Sequence, residues 1–238
     1  MKNILISGGA GFIGSNLTIK LVERGYNVTI LDNLSEQIHG KNTSFLFQSV
    51  KGISNFIYGD VRNKKDWQKA LLGQQIIVHL AAETGTGQSM YKESKYIDVN
   101  INGTQNLLDC LKEKEHSVEK IIVASSRAIY GEGKYLCINN GFVYPSSRNE
   151  IDMKKGDFHP KSKTCKSILK LVATDENSKI QPTSIYGITK QKQEELILSA
   201  NKHLKIPTVS FRYQNVYGPG QSLLNPYTGI LSIFSTRI

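Results

Sequence analysis

Two side chains spaced four apart, Tyr186 and Lys190, carry the sharpest chemical signal in this 238-residue chain. That spacing places both on one face of a helix, here the helix predicted over Ile185–His203. A tyrosine phenol ordinarily ionises near pH ~10, too high for a general base at neutral pH. A nearby cation favours the phenolate: one unit charge at about 4 Å contributes roughly 4 kcal/mol at an effective dielectric of about 20. At about 1.36 kcal/mol per pKa unit, that attraction leaves room for a shift of roughly two or three units, with desolvation opposing it. The pair therefore suits removal of a proton from a substrate hydroxyl, with Tyr186 as base and Lys190 as cation. Ser125 and Ser126 end a predicted strand, at the sheet edge where ligands bind in open α/β folds. Ser126 is the preferred group to hold the substrate oxygen and share its proton, with Ser125 as the alternative.

A base alone does not oxidise or reduce anything, and the amino-terminal residues point to the missing partner. Gly8, Gly11 and Gly14 lie three apart in Gly8-Gly9-Ala10-Gly11-Phe12-Ile13-Gly14, between a short apolar run at residues 2–7 and a helical pattern at 13–24. Glycines so placed allow a tight turn, close approach of backbone to a pyrophosphate, and close helix–strand packing; the helix N-terminus supplies N–H donors and partial positive charge. Gly8, Gly11, Phe12, Ile13 and Gly14 are thus expected to hold a dinucleotide. Asp32 follows the second strand, where a carboxylate accepts ribose hydroxyls and repels a 2′-phosphate, so NAD is expected over NADP. Asp60 and Val61, after the third strand, are expected near the adenine. Leu80, Ala81 and Ala82 end the fourth strand with small residues that let a cofactor lie against backbone. Tyr186 and Lys190 complete the cofactor-binding set.

The elements that must position these groups are legible in the apolar runs. Strands are predicted at residues 2–7, 28–31, around Ile57, at 76–80, 121–125 and 208–213. Helical patterns at 13–24, 66–72, 99–113 and 185–203 separate most of them. Alternation of this kind predicts an α/β fold with a doubly wound parallel, Rossmann-type sheet. Residues 132–182 break the rhythm: they are long, Lys-rich and poor in periodic apolar residues, and read as an insertion or mobile lid. The NAD-binding domain is accordingly placed at residues 1–215, and 216–238, with an element beginning near 231–234, as the start of a substrate domain.

Composition narrows the setting. Lysine and arginine total 30 against 20 acidic residues, a net charge of +10, but the lysines are scattered, and a nucleic-acid footprint needs them clustered. No nucleic-acid partner is expected. There is no apolar stretch of the ~18 residues a membrane span requires, and no secretory signal, which favours the cytoplasm. Three cysteines, Cys110, Cys137 and Cys165, cannot form a disulfide framework.

Taken together, GGAGFIGSNL from Gly8, Asp32, GDVRN from Gly59, HLAAETGTGQS from His79, SSRAIYGEG from Ser125, YGITK from Tyr186 and RYQNVYGPGQS from Arg212 resemble the extended short-chain dehydrogenase/reductase family. Within it the chain looks like the NAD-dependent nucleotide-sugar epimerases and dehydratases, and residues 213–237 are most similar to dTDP-L-rhamnose 4-epimerase-like members. The resemblance implies Tyr186 as base, Lys190 on the nicotinamide ribose, Ser126 as the assisting hydroxyl and Asn215 in the substrate's diphosphate region. It also implies a dTDP- or UDP-linked sugar as substrate, a homodimer, and a place in surface-polysaccharide synthesis. Dehydratases of the family carry an Asp-Glu pair directly after the hydroxyl residue, whereas this chain has Arg127 and Ala128, so a 4-epimerase is expected. Relatives with the long insertion often carry cysteine pairs; Cys137 and Cys165, even with His159, fall short of a four-ligand zinc site, and no metal is expected. Family members run on past the point where this chain stops, which leaves the substrate domain truncated. The alternatives are a 4,6-dehydratase or reductase, and a module that binds NAD without turnover.

Overall fold

Side chains along the first strand alternate between two apolar layers, as a strand buried on both faces requires. The computed structural model describes residues 2–40, 45–162, 168–221 and 234. In strand β1 (Asn3–Ser7), Ile4 and Ile6 join a core with Val28, Ile30, Val50 and Val78, while Leu5 faces the opposite core with Leu31, Ile77, Leu107, Ile121 and Ile197. Each such side chain contributes roughly 1.5–3 kcal/mol on full burial, so the two layers fix the register of the sheet.

Helix α1 (Phe12–Glu23) leads to β2 (Asn27–Asp32), then to α2 (Glu36–His39), α3 (Phe45–Lys51) and β3 (Asn55–Tyr58). Helix α4 (Lys64–Ala70) precedes β4 (Ile76–His79), which is followed by α5 (Thr86–Ser89) and α6 (Glu93–Tyr96). A π-helical segment, Ile97–Asn102, runs into α7 (Gly103–Glu113), and β5 (Lys120–Ser126) ends in a 3-10 turn, Arg127–Tyr130. The last two elements of the sheet layer are α9 (Ile185–His203) and β9 (Thr208–Tyr213). The six strands pair in parallel in the order β3-β2-β1-β4-β5-β9. The order reverses direction beside β1, which opens a crevice at the carboxyl ends of β1 and β4. Among the described residues no helix is long and apolar enough to cross a membrane.

The stretch 132–182 holds more regular structure than its sequence predicts. Strands β6 (Tyr135–Cys137), β7 (Gly141–Val143) and β8 (Lys170–Leu171) form an antiparallel sheet in the order β7-β6-β8, and α8 (Glu150–Lys154) lies between β7 and β8. Tyr135, Cys137 and Leu169 form its small core. Strands of two or three residues are too short to show a period-2 pattern, which is why the sequence reads as irregular there. Its far end is tied to the main sheet: Gln181 N–H donates to Ile129 O at 2.8 Å and Arg212 Nη1 donates to Glu176 O at 2.9 Å. Cys165 and the element expected at 231–234, Phe234 apart, lie outside the described residues.

Candidate functional site

Gly8 leaves β1 with φ +73°, and a Cβ there would stand 2.7 Å from Ala81 N, so the turn passes directly over the exit of β4. At Gly14 a Cβ would meet Gly8 O at 2.4 Å and Gly9 Cα at 2.6 Å, which is the close packing of α1 on its own turn. Gly11 differs: a Cβ there would meet only Gly8 O, at 3.4 Å, an ordinary contact. Packing does not demand glycine at Gly11, yet the residue lines a cleft of about 1000 Å³ at the start of α1. That helix carries no side-chain cap and no acidic residue in its first turn, so its N–H groups face the cleft without a competing anion.

Asp32 closes one end. Its Oδ2 accepts from Ala10 N–H at 3.0 Å and its Oδ1 from Leu34 N–H at 2.9 Å, with His39 Nε2 at 3.7 Å from Oδ1. The carboxylate is thereby pinned against the glycine turn. A bare helix N-terminus, a cradle kept open at Gly11 and a pinned carboxylate fit a dinucleotide. If Asp32 reads ribose hydroxyls, Asp32→Asn is expected to weaken NAD binding about 10-fold and to narrow the preference over NADP. Calorimetric titration with both nucleotides checks this, and a wild-type chain that binds NADP as tightly as NAD would remove the carboxylate from that role.

The other end is built by α9 against the turn after β5. Ser184 caps α9 by accepting from Gly187 N–H at 3.1 Å. At Gly187 a Cβ would sit 2.7 Å from Ala128 O, so the missing side chain lets the helix start press onto Arg127–Tyr130. This brings Tyr186 to Ser126. Burial pushes the Tyr186 phenol above its ordinary pKa, with the Ser126 hydroxyl and the Arg127 cation pulling it down. Ser125 lies instead beside Glu194, whose carboxyl burial pushes up but Arg212 and then Ser125 hold below the usual range. The Tyr96 ring meets the Tyr186 ring edge-on at 6.3 Å. Lys190 is fully inside, and burial lowers its ammonium to about 7, with Glu194 opposing.

Most of the residues expected from sequence meet in this cleft. Gly8, Gly11, Phe12, Ile13, Gly14, Asp32, Val61, Leu80, Ala81 and Ala82 line it around the glycine turn, and Ser125, Ser126, Tyr186, Lys190 and Asn215 line it as well. Asp60 does not line it. Partial burial pushes its carboxyl up, but hydrogen bonds from Arg62 and Asn33 outweigh that and hold it at about 2. Lys190 Nζ meets Gln193 Oε1, and Arg127, which donates from Nε to Asn215 Oδ1 at 3.2 Å, adds a positive charge that favours the phenolate.

Several lining residues escape the sequence reading. Glu83, Thr84 and Thr86 follow β4, so their place after a strand's carboxyl end is a usable signal. Asn100, which supports this wall without lining the cleft, has no such signal. It sits in the π-helical segment and grips the strand exit from behind, accepting from Glu83 N–H at 2.8 Å and donating to Glu83 O at 3.1 Å and to Thr189 Oγ1 at 3.0 Å.

The sequence pattern of the NAD dependent epimerase/dehydratase family matches residues 4–154 and 156–238, nearly the whole chain. The chain belongs to this family. Its relatives in the family include a dTDP-L-rhamnose 4-epimerase of Burkholderia thailandensis, 38% identical over 236 residues, which cover 98% of this chain and 63% of that protein. Among solved structures, a UDP-N-acetylglucosamine 4-epimerase from Methanobrevibacter ruminantium superposes with a TM-score of 0.73 at 25% identity, covering 99% of this chain and 62% of that one. A UDP-glucuronic acid 4-epimerase from Bacillus cereus, in complex with UDP-glucuronic acid and NAD, gives a TM-score of 0.67 at 28% identity, covering 92% and 58%. The chain thus spans about three fifths of the length of these family members.

Proposed function

We propose that this chain binds NAD and inverts C4 of a nucleotide-activated sugar through a 4-keto intermediate. The observation that carries the reading is the cleft wall beside Tyr186: the hydroxyl of Ser126 is followed by Arg127 and Ala128, and the carboxylates further along are committed elsewhere. Glu83 pairs with Lys95 Nζ at 2.8 Å, and Glu132 with Arg148 Nη2 at 3.1 Å. Elimination of water needs a carboxyl pair free to act as acid and base. Proton removal from a hydroxyl needs only the phenol, its cation and the assisting serine.

In this reading Tyr186 takes the proton of the C4 hydroxyl, Ser126 holds that oxygen, and Arg127 stabilises the phenolate. NAD, when bound, supplies the hydride acceptor for C4 oxidation and the donor for the return. Gly8, Gly11, Gly14 and Asp32 hold it, with Val61 and Ala81 beside it and Lys190 toward the nicotinamide ribose. The 4-keto sugar turns over and Tyr186 returns the proton, so no cofactor is consumed. Asn215 faces the diphosphate of a dTDP- or UDP-sugar. Residues 1–215 form the NAD-binding part and 216–238 begin the substrate side. Exposed Ile97 on the π-helical segment that leads into α7, with Ile188 and Leu198 on α9, makes this side the face for a homodimer. The setting implied is cytoplasmic supply of activated sugars for polysaccharide.

The test is incubation of the 238-residue chain with NAD and a panel of dTDP- and UDP-sugars, followed at the 4-position by NMR. Interconversion of C4 epimers without net NADH is expected. Accumulation of a 4-keto-6-deoxy sugar would make it a dehydratase, and stoichiometric NADH consumption a reductase. NAD binding with no turnover would reduce the reading to cofactor binding.

A further inference from the structure

Lys190 is the cation that the proposed reaction sets toward the nicotinamide ribose, yet it sits where an ammonium is costly: it lines the cleft with only 3% of its surface exposed. The nearest carboxylate on its own helix does not neutralise it. Glu194 is turned to Arg212, which donates to it from Nε at 3.1 Å and from Nη2 at 2.8 Å. The acceptor that meets the Lys190 ammonium is the amide oxygen of Gln193.

Gln193 has no exposed surface, and its amide orientation is dictated by its neighbours. An ammonium has only donors, so Oε1 must face Lys190 and the NH2 group must face away. There it meets Thr104 Oγ1 at 3.0 Å, His79 Nε2 at 3.0 Å and Ala81 O at 3.4 Å. These groups are fixed in turn: the Thr104 hydroxyl donates to Asn100 O at 2.7 Å, and His79 Nδ1 lies 2.6 Å from Ser7 Oγ. The imidazole is fully buried, and burial together with the Lys190 charge lowers it to about 3, so it stays neutral. A chain of neutral dipoles therefore runs from β1 and β4 through Gln193 to the lysine.

We infer that Gln193 is a positioning residue that holds the Lys190 ammonium in the cleft with a neutral acceptor, so that the charge is oriented without being cancelled. A carboxylate at the same place would hold the ammonium as firmly but would remove its field from the cleft. An apolar side chain would leave the ammonium without an acceptor and drive it toward the neutral amine. This inference deepens the proposed reaction and rests on Lys190 serving it, but the geometry can be tested without turnover.

The test is side-chain NMR titration of lysine-labelled 238-residue chain, with the Lys190 resonance assigned by its loss in Lys190→Met. The other charged or titratable groups around Lys190 are Tyr186 and Glu194 on α9, His79 on β4, Arg212 on β9 and Arg127 after β5, and all stay unchanged. In Gln193→Met, which keeps the volume and removes the acceptor, the Lys190 midpoint is expected to fall by about one to two units. In Gln193→Glu it is expected to rise by at least as much. NAD affinity at neutral pH should drop several-fold in the first variant and less in the second. A Lys190 midpoint that stays put in both variants overturns the inference, whatever happens to activity or melting temperature. If Gln193→Met does not fold, the upward shift in Gln193→Glu still decides the matter. Correct Lys190 shifts with no sugar turnover would leave Gln193 in place and fault the proposed reaction instead.

Discussion

Replacing Tyr186 by phenylalanine is expected to lower C4 interconversion by roughly 10³-fold, while NAD binding and melting temperature stay close to wild type. The substitution removes one oxygen from a half-buried ring and leaves its edge-on contact with Tyr96 intact. Its cost to the fold is small, because the phenol gives up its hydrogen bond to Ser126 while the other contacts that seat α9 remain: the cap is Ser184 on Gly187 N–H, and the helix start rests by Gly187 against Ala128. Its cost to chemistry is large, because among the described residues that line the cleft no group beside the substrate hydroxyl is left to replace the base. Ser126 is an ordinary hydroxyl, and Lys190 is committed to Gln193.

The pH dependence sharpens that expectation. Burial raises the Tyr186 pKa, so the protonated phenol is the stable form throughout neutral pH, and only added positive charge brings the phenolate into range. Arg127 supplies part of this, and a bound oxidised nicotinamide adds more. The tyrosinate absorbance that wild type shows and Tyr186→Phe lacks should therefore move to lower pH when NAD is added. The acidic limb of the rate profile should follow it. A phenol whose titration is indifferent to NAD would exclude Tyr186 as the base. Arg127→Leu should push the same limb toward higher pH, since it removes the cation on the substrate side.

The second large effect separates two glycines three residues apart. Gly14→Ala is expected to cost about 1–3 kcal/mol of stability and to abolish NAD binding. The new methyl would collide with Gly8 O, Gly9 Cα and Gly9 C at 2.4, 2.6 and 2.8 Å, all backbone atoms of the turn that must cradle a pyrophosphate. Backbone cannot swing aside as a lysine tip can, so either α1 lifts or the turn opens. Gly11→Ala should behave oppositely. Its φ of −73° suits any residue, and its methyl would make one ordinary contact at 3.4 Å. The fold should be unchanged within about 0.5 kcal/mol, yet the methyl enters the space at the helix N-terminus, so NAD affinity should fall sharply. Thermal melts and NAD titrations on both variants check this. A Gly11→Ala chain that binds NAD normally would show that the cradle is not where the pyrophosphate sits.

Much of the scaffold was legible from local pattern. Apolar runs buried on both faces, the glycine-rich turn, and the four-residue spacing of Tyr186 and Lys190 are properties of short segments. The limits read for α9 and β9 coincide with those in the structure. Such features are set by backbone sterics and by helical or strand periodicity, which act over a few residues.

What the sequence could not determine depends on residues distant in the chain. Asp60 reads as a cofactor contact by its place after β3, but it does not line the cleft, and its carboxylate is bonded by Arg62 and Asn33. Lys190 reads as the partner of Tyr186, but its ammonium meets Gln193, whose amide is oriented in turn by Thr104 of α7 and His79 of β4. Arg127 reads only as the absence of a carboxylate until the fold sets it beside the phenol. The sequence by itself determined the sheet, the turn and the reactive pair. Tertiary packing decided which charge each buried group faces, because electrostatics in a low-dielectric site depends on distances that only the assembled chain defines.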